Sequence, residues 1–219
     1  DQFRSGQQDI VEAICAGENV LAILPTGGSK SLCYQLSAML HDGLTVIISP
    51  LIALMRDQVR ALEANGVAAG AFTSTNTQEE TDAVFAHLEN QSLSLLYLAP
   101  ERLASSAMQS ALSRYNVQLI AVDEAHCVSQ WGHDFRPDYL RLGEARKSLG
   151  DPQCVAFTAT ATPVVRDDIV KVLKLQDPFQ IVTGFERANL SFNISPVETK
   201  AAKFRRTREI LKEHRTGII

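Results

Sequence analysis

The sequence has few of the features that mark membrane, secreted or zinc-binding proteins. No apolar run approaches the roughly 20 residues that span a bilayer, and residues 1–4 do not have the form of a secretory signal. The cysteines lie far apart and form no CxxC pair. This spacing argues against a zinc site or disulfide framework and favours buried free thiols at Cys15, Cys33, Cys127 and Cys154.

An excess of positive charge is also absent. The 219 residues include 21 lysines and arginines against 25 acidic residues, which gives a net charge of -4. This balance excludes a wholly basic nucleic-acid binder. It leaves room for a local basic track, because phosphate contacts depend on where the charges lie. The length is enough for one large domain with its own core.

Short apolar runs alternate with amphipathic stretches along most of the chain. Continuous apolar strands between such helices indicate a mostly parallel sheet covered on both faces, the doubly wound α/β class. The predicted strands are 19–24, 44–49, 93–99, 117–122 and 154–158, and the predicted helices are 31–40, 53–65, 78–90, 101–115 and 164–173. We predict a first domain over 1–175, a linker with a charged helix over 176–215, and the start of a second domain at 216–219.

A candidate phosphate-binding loop follows the first predicted strand. Its order of strand, glycine-bearing turn, Lys-Ser and helix is what a P-loop requires, because backbone N–H groups and the helix N-terminus hold phosphates. Lys30 would reach the β- and γ-phosphates, and the Ser31 hydroxyl would bind magnesium. The alternative is a polar turn capped by Ser31. The loop residues are Thr26, Gly27, Gly28, Ser29, Lys30 and Ser31.

The strict P-loop pattern fails at two positions. The pattern requires glycine at two positions that are occupied here by Leu24 and Ser29. The second departure matters more, because glycine belongs where the backbone passes close to the phosphates.

An acidic pair follows the apolar strand at 117–122. Acidic residues at the carboxyl end of a parallel strand face the crevice where ligands bind. Asp123 would hold magnesium, Glu124 would orient and deprotonate the attacking water, and His126 would link the site to neighbouring elements. The alternatives are two solvent-exposed acids at a strand end and a structural histidine.

Several further motifs occur in the order typical of one family. The segments are 3–7, 32–35, 49–58, 97–103, 158–162 and the aromatic-rich stretch 127–139. Together they resemble the RecQ helicases of helicase superfamily two, and the match covers nearly the whole chain. The resemblance implies a RecA-like fold. It also implies that Arg4 and Gln7 recognise adenine, and that the stretches at 49–58 and 97–103 contact DNA.

The aromatic-rich stretch has chemistry that suits the role implied for it. Aromatic side chains on a loop stack bases for roughly 1–3 kcal/mol each without sequence preference, and an arginine beside them contacts phosphate or stacks. The alternative places Trp131 and Phe135 in the domain core. The candidate DNA-binding residues are Ser49, Pro50, Arg102, Trp131, Phe135 and Arg136.

The resemblance implies an ATP- and Mg²⁺-dependent 3′-to-5′ DNA helicase that acts in recombination and repair. Its expected partners are single-stranded and partly duplex DNA and a second RecA-like domain. Its expected location is the bacterial cytoplasm or, in a eukaryote, the nucleus. Two alternatives stay open, a nucleotide-gated DNA-binding module without turnover and a DEAH-box translocase that does not unwind. The aromatic stretch argues against the second. The charged helix is interpreted as a solvated face.

Overall fold

A seven-stranded parallel sheet forms the centre of the structure, with the strand order β3-β4-β2-β5-β6-β1-β7. The strands are β1 (Val20–Ile23), β2 (Leu44–Ile48), β3 (Ala69–Phe72), β4 (Leu95–Leu98), β5 (Val117–Val122), β6 (Gln153–Thr158) and β7 (Phe179–Val182). This computed structural model describes residues 2–25, 27, 29–184 and 194–213. The predicted doubly wound α/β class is confirmed.

Helices cover both faces of the sheet and divide the core into two layers. One layer packs α1, α2 and α3 on the sheet, and the other packs α4 to α8 on the opposite face. The strands are buried on both sides, which explains their continuous apolar character. The helices are α1 (Gln7–Cys15), α2 (Lys30–Leu40), α3 (Ile52–Ala64), α4 (Gln78–Glu89), α5 (Pro100–Leu103), α6 (Ser106–Leu112), α7 (Leu142–Ser148), α8 (Pro163–Val172) and α9 (Lys200–Glu213).

Two strands of the sheet were missed by the sequence analysis. β3 reads Ala-Gly-Ala-Phe, a composition with low β-propensity. Its small residues allow a helix to pack closely, since a Cβ on Gly70 would lie 3.1 Å from the Val84 side chain of α4. β7 pairs with β1 in parallel, from Phe179 to Val182, so the sheet extends past the domain end predicted at residue 175.

Two helix predictions also need correction. Helix α1 was not predicted, although its buried face of Ile10, Val11 and Ile14 has helical spacing. The helix predicted over 101–115 is two short helices, α5 and α6. The second is capped by Ser105, whose hydroxyl accepts a hydrogen bond from the backbone N–H of Met108 at 3.3 Å.

The prediction of buried thiols holds for three of the four cysteines. Burial raises the pKa of Cys33 to about 11 and that of Cys127 and Cys154 to about 12, which keeps these thiols protonated and unreactive. Cys15 was also expected to be buried, but it is exposed at the end of α1.

The chain divides into two compact units, residues 1–185 and 186–219. In the second unit, α9 has a strongly charged surface that also exposes Phe204. The predicted second-domain start at 216–219 lies outside the described residues. Within the ranges that the structure describes, no helix has both the length and the apolar character needed to cross a membrane.

Candidate functional site

The predicted phosphate loop and acidic pair meet at the carboxyl edge of the sheet. β1 leads into the loop and β5 into the acidic pair, and β6 is the only strand between them. Lys30 Nζ lies 3.4 Å from Glu124 Oε1 and 4.0 Å from Asp123 Oδ1. Tertiary structure therefore joins three of the predicted catalytic residues.

A cavity of about 280 Å³ is lined by both the loop and the acids. It has room for phosphate groups beside the lysine. Its lining includes Gly27, Ser29, Lys30, Ser31, Tyr34, Ser49, Met55, Gln58, Tyr97, Asp123 and Glu124. Thr26 and Gly28, also predicted for this loop, lie outside the described residues.

Asp123 is a desolvated carboxylate at the base of this cavity. Burial raises its pKa, and the nearby Lys30 ammonium partly opposes that effect. Asp123 Oδ1 accepts a hydrogen bond from the backbone N–H of Glu124 at 3.0 Å. The Tyr139 hydroxyl donates to the backbone carbonyl of Asp123 at 3.0 Å. The first contact orients the carboxylate, and the second holds the backbone of Asp123.

Two non-glycine residues of the site have left-handed backbone conformations. Ser29 has φ 50° and ψ 50°, and Glu124 has φ 48° and ψ 45°. Such conformations cost of order 1–3 kcal/mol for residues with a Cβ and concentrate at functional sites. The backbone conformation at Ser29 is one that glycine adopts more easily than serine does. This agrees with the P-loop pattern, which has glycine at this position.

Arg4 and Gln7 contact the backbone of the phosphate loop. The Arg4 guanidinium donates to the carbonyl of Gly27, and Gln7 Nε2 donates to the carbonyl of Ser29 at 3.3 Å. Gln7 Oε1 also accepts from the backbone N–H of Arg4 at 2.8 Å. The two residues predicted to bind the base thus form one unit with the loop predicted to bind phosphate.

His126 connects the acidic pair to two other segments. Its Nδ1 lies 2.8 Å from Thr158 Oγ1, at the end of β6, and 3.3 Å from Glu124 Oε2. The ring stacks on His133 with centroids 4.0 Å apart. Burial and the nearby His133 lower the pKa of His126, so the neutral ring is favoured. His126 thus contacts both Glu124 and the segments of Thr158 and His133, and its linking role stays a prediction.

The aromatic-rich stretch forms a loop beside the nucleotide cavity. Trp131 is 78% exposed, which excludes the alternative that it fills the core, and Phe135 is half-buried. Arg136 donates to the backbone carbonyl of Pro50 at 3.3 Å and pairs with Asp134 at 3.0 Å. The loop therefore touches the segment after β2.

The other residues predicted to bind DNA are placed differently from one another. Arg102 is exposed in the last turn of α5. Ser49 is only 4% exposed and lines the nucleotide cavity, so its side chain is not presented on the surface.

A hydrogen-bonded set in the wall of the cavity was missed by the sequence analysis. Gln35 Nε2 donates to Gln58 Oε1 at 2.6 Å and to the Tyr97 hydroxyl at 3.0 Å. These residues lie within the motif segments, but amphipathic spacing alone does not show that helices α2 and α3 and strand β4 bring them together.

The donor set of the site fits Mg²⁺ bound together with phosphates. Magnesium is commonly held by one or two carboxylates and substrate phosphates rather than by a cage of protein ligands. Ser31 and Asp123 supply one hydroxyl and one carboxylate to the same cavity. Across the described part of the chain, no group of three or more His, Cys, Asp or Glu residues is arranged as a self-sufficient metal site.

A parallel sheet with a strand–P-loop–helix unit and an acidic pair on the same edge is typical of a P-loop nucleoside triphosphatase of RecA-like architecture. The profile of the DEAD/DEAH box helicases matches residues 4–168. The chain belongs to this helicase family.

Relatives within the family are of the RecQ type. The probable ATP-dependent DNA helicase RecS of Bacillus subtilis (strain 168) is 42% identical over 211 residues, which are 96% of this chain and 42% of that protein. The ATP-dependent DNA helicase RecQ of the same organism is 45% identical over 202 residues, 91% of this chain and 34% of that protein. The chain therefore spans less than half the length of these relatives. The resemblance to RecQ helicases is confirmed.

The fold has counterparts among solved helicases. The Hef helicase domain of Pyrococcus furiosus has a TM-score of 0.62 at 21% identity, over 82% of this chain and 38% of that one. At this identity the likeness supports the RecA-like fold.

Proposed function

We propose that this chain is the nucleotide-binding motor domain of a RecQ-type 3′-to-5′ DNA helicase, which couples ATP hydrolysis to strand separation in recombination and repair. One observation carries the proposal. Lys30 pairs with Asp123 and Glu124 in the lining of a cavity of about 280 Å³, and an exposed aromatic loop contacts the same acidic segment through His126. The relatives named as ATP-dependent DNA helicases support the same function.

The residues of the cavity have separate roles in phosphoryl transfer. Backbone N–H groups of the loop and the start of α2 bind the phosphates, and Lys30 neutralises the β- and γ-phosphate charge. Glu124 orients the attacking water and accepts its proton. Arg4 and Gln7 bind the base, and their contacts with Gly27 and Ser29 connect base recognition to the loop.

Magnesium would be held by Ser31 and Asp123 together with the nucleotide phosphates. When bound it would supply positive charge that offsets charge developing on the phosphates. The desolvated carboxylate of Asp123 suits this role, since a cation stabilises a charged group that burial alone disfavours.

The DNA would lie across the carboxyl edge of the sheet, on the aromatic loop and the segments after β2 and β4. Trp131 would stack on bases, and Arg136 and Arg102 would contact phosphates. Arg136 donates a hydrogen bond to the carbonyl of Pro50, so DNA bound to the aromatic loop would also affect the segment after β2. Through His126 and His133 the same loop reaches Glu124, which offers a direct path from DNA to the hydrolytic residue.

The second candidate function is a nucleotide-gated DNA-binding module without turnover. The left-handed Ser29 favours it over the motor, because a phosphate loop displaced from the nucleotide loses the positioning that hydrolysis requires. ATP turnover by the full-length protein, with and without single-stranded DNA, separates the two functions. DNA-stimulated turnover that is lost in Glu124→Gln supports the motor, and nucleotide-dependent DNA binding without turnover supports the module.

Titration with single-stranded DNA tests the DNA-binding part of the proposal. Trp131 is the only tryptophan, so its fluorescence reports on the loop alone. We expect DNA to quench or shift the emission, with an affinity that falls steeply as salt increases. Arg136→Gln should weaken binding and reduce the salt dependence. Emission that DNA leaves unchanged, together with no binding of a fluorescein-labelled oligonucleotide, would contradict the proposed surface.

A further inference from the structure

The base of the aromatic loop is held by one buried hydroxyl. Ser129 is 1% exposed, and its Oγ accepts a hydrogen bond from the backbone N–H of Trp131 at 3.1 Å. The Ser129 carbonyl accepts another from Gly132 at 3.0 Å. A Cβ on Gly132 would lie 2.5 Å from the His126 carbonyl, so the turn is tightly packed at this point.

The Ser129 hydroxyl is itself oriented by a carboxylate from another element. It donates to Asp168 Oδ2, on α8, at 2.5 Å. With its proton directed to Asp168, the hydroxyl presents a lone pair to the Trp131 N–H. A hydrogen bond to a charged acceptor is stronger than a neutral one, so Asp168 determines the direction in which Ser129 accepts.

Helix α8, which carries Asp168, is held in place by its cap and by its packing on the core. The helix begins with Thr162 as a cap and Pro163 in its first turn, and Val165 and Ile169 are buried in the core. It packs against the 3₁₀ turn Ala125–Val128, which immediately precedes Ser129. The carboxylate is therefore fixed relative to the loop that it contacts.

We propose that Asp168 is a positioning residue that holds the aromatic loop, through Ser129, in the orientation that presents Trp131 to DNA. The DNA part rests on the function proposed above. The chain of contacts runs from Asp168 to Ser129 to the backbone of Trp131, and it is separate from the contact of Arg136 with Pro50.

The sign of the effect distinguishes positioning from simple electrostatics. A carboxylate near a DNA surface repels phosphate, so removal of its charge alone should strengthen DNA binding. Loss of the loop's anchor should weaken it. Asp167 provides the matched control, because it is an exposed aspartate on the same helix, adjacent in sequence.

The experiment compares Asp168→Ala, Asp168→Asn and Asp167→Ala with the wild-type chain. Acrylamide quenching and fluorescence anisotropy of Trp131 are measured without DNA, and affinity for a labelled single-stranded oligonucleotide is measured separately. For Asp168→Ala we expect lower Trp131 anisotropy and an at least about tenfold weaker Kd, from loss of one charge-assisted hydrogen bond. Asp168→Asn keeps an acceptor oxygen and should retain near-native anisotropy. Asp167→Ala should bind as well as wild type or better.

Ser129→Ala breaks the same link from the loop side and guards against misfolding of one variant. The double variant with Asp168→Ala should be no weaker than Ser129→Ala alone, since both changes remove one interaction. Unchanged anisotropy and Kd in a folded Asp168→Ala protein would overturn the proposal, as would additive losses in the double variant. A wild-type chain that binds no DNA overturns the proposed function, and the anisotropy comparison still decides whether Asp168 holds the loop.

Discussion

The replacement of Ser29 by glycine is the sharpest test of the nucleotide site. Ser29 directly precedes Lys30 and has φ 50°, a conformation that glycine adopts without penalty. Its Cβ lies where the backbone must approach the phosphates. The Ser29 carbonyl accepts hydrogen bonds from Gln7 Nε2 at 3.3 Å and from the backbone N–H of Leu32 at 3.1 Å. These bonds hold the peptide in place and oppose a movement of Ser29 away from the phosphates.

The expected effect is on binding rather than on folding. Relief of a left-handed conformation is worth roughly 1–2 kcal/mol, but glycine loses about 0.5–1 kcal/mol more backbone entropy on folding, so the melting temperature should change little. Loss of one hydrogen bond to a charged phosphate costs about 1.5–3 kcal/mol, which is roughly ten- to a hundredfold in affinity. We therefore expect Ser29→Gly to bind ATP at least about tenfold more tightly than the wild-type chain.

Calorimetric titration of both proteins with magnesium and a non-hydrolysable ATP analogue measures this difference. Ser29→Ala is the control, because it removes the hydroxyl and keeps the Cβ. It should stay as weak as wild type if the Cβ is responsible. Equal affinities of wild type and Ser29→Gly would refute the steric argument and show that the loop accommodates serine. Tight binding by Ser29→Ala would assign the effect to the hydroxyl instead.

Three further outcomes follow from the structure and the proposed function. The isolated 219-residue chain should hydrolyse ATP barely above background in a phosphate-release assay. In motors of this type a second domain supplies an arginine finger, which increases the rate by about 10³–10⁵. Robust DNA-stimulated turnover by this chain would contradict the prediction. Burial raises the pKa of Asp123, so the folded state binds this proton more tightly than the unfolded chain does, and the ionised carboxylate destabilises the fold as pH rises. Asp123→Asn should therefore melt at a higher temperature than wild type at pH 7, by about 2–4 °C per kcal/mol of stability gained, and a lower melting temperature would contradict this. The gain should shrink as pH falls towards the ordinary carboxyl pKa of 3.8. Arg146 is buried and donates hydrogen bonds to the carbonyls of Pro152, Leu173 and Lys174. Arg146→Ala should therefore lower the free energy of unfolding, measured in urea, by about 3 kcal/mol. Replacement of the exposed Lys147 by alanine should change it by less than about 0.5 kcal/mol.

Sequence reasoning was most successful where local chemistry is decisive. The strand before Leu24 and the helix from Lys30 were predictable because an apolar run, a glycine-bearing turn and an amphipathic stretch each have a distinct pattern. It was least successful for β3, whose Ala-Gly-Ala run has little intrinsic preference for a strand. β3 forms because the sheet edge beside β4 and the close packing of α4 on Gly70 favour small residues there.

The candidate site shows the same division. Residue types alone marked Lys30, Asp123 and Glu124, because phosphate binding and hydrolysis require a lysine and paired carboxylates at strand ends. They did not show that Ser49 is buried in the nucleotide cavity. They also did not show that Arg4 bonds the phosphate loop, or that Asp168 holds the aromatic loop. Those contacts join segments far apart in the chain, and no local pattern records them.

The sequence by itself determined the α/β class, the order of the motifs and the chemical groups available for binding nucleotide and DNA. These follow from hydrophobic periodicity and side-chain chemistry, which are properties of short segments. Only the tertiary structure decided which groups meet. The order β5-β6-β1 brings Lys30 to the acidic pair, and the packing of α8 on the turn after β5 brings Asp168 to Ser129. Such distances depend on how a twisted parallel sheet packs its helices, and this packing is a property of the whole domain.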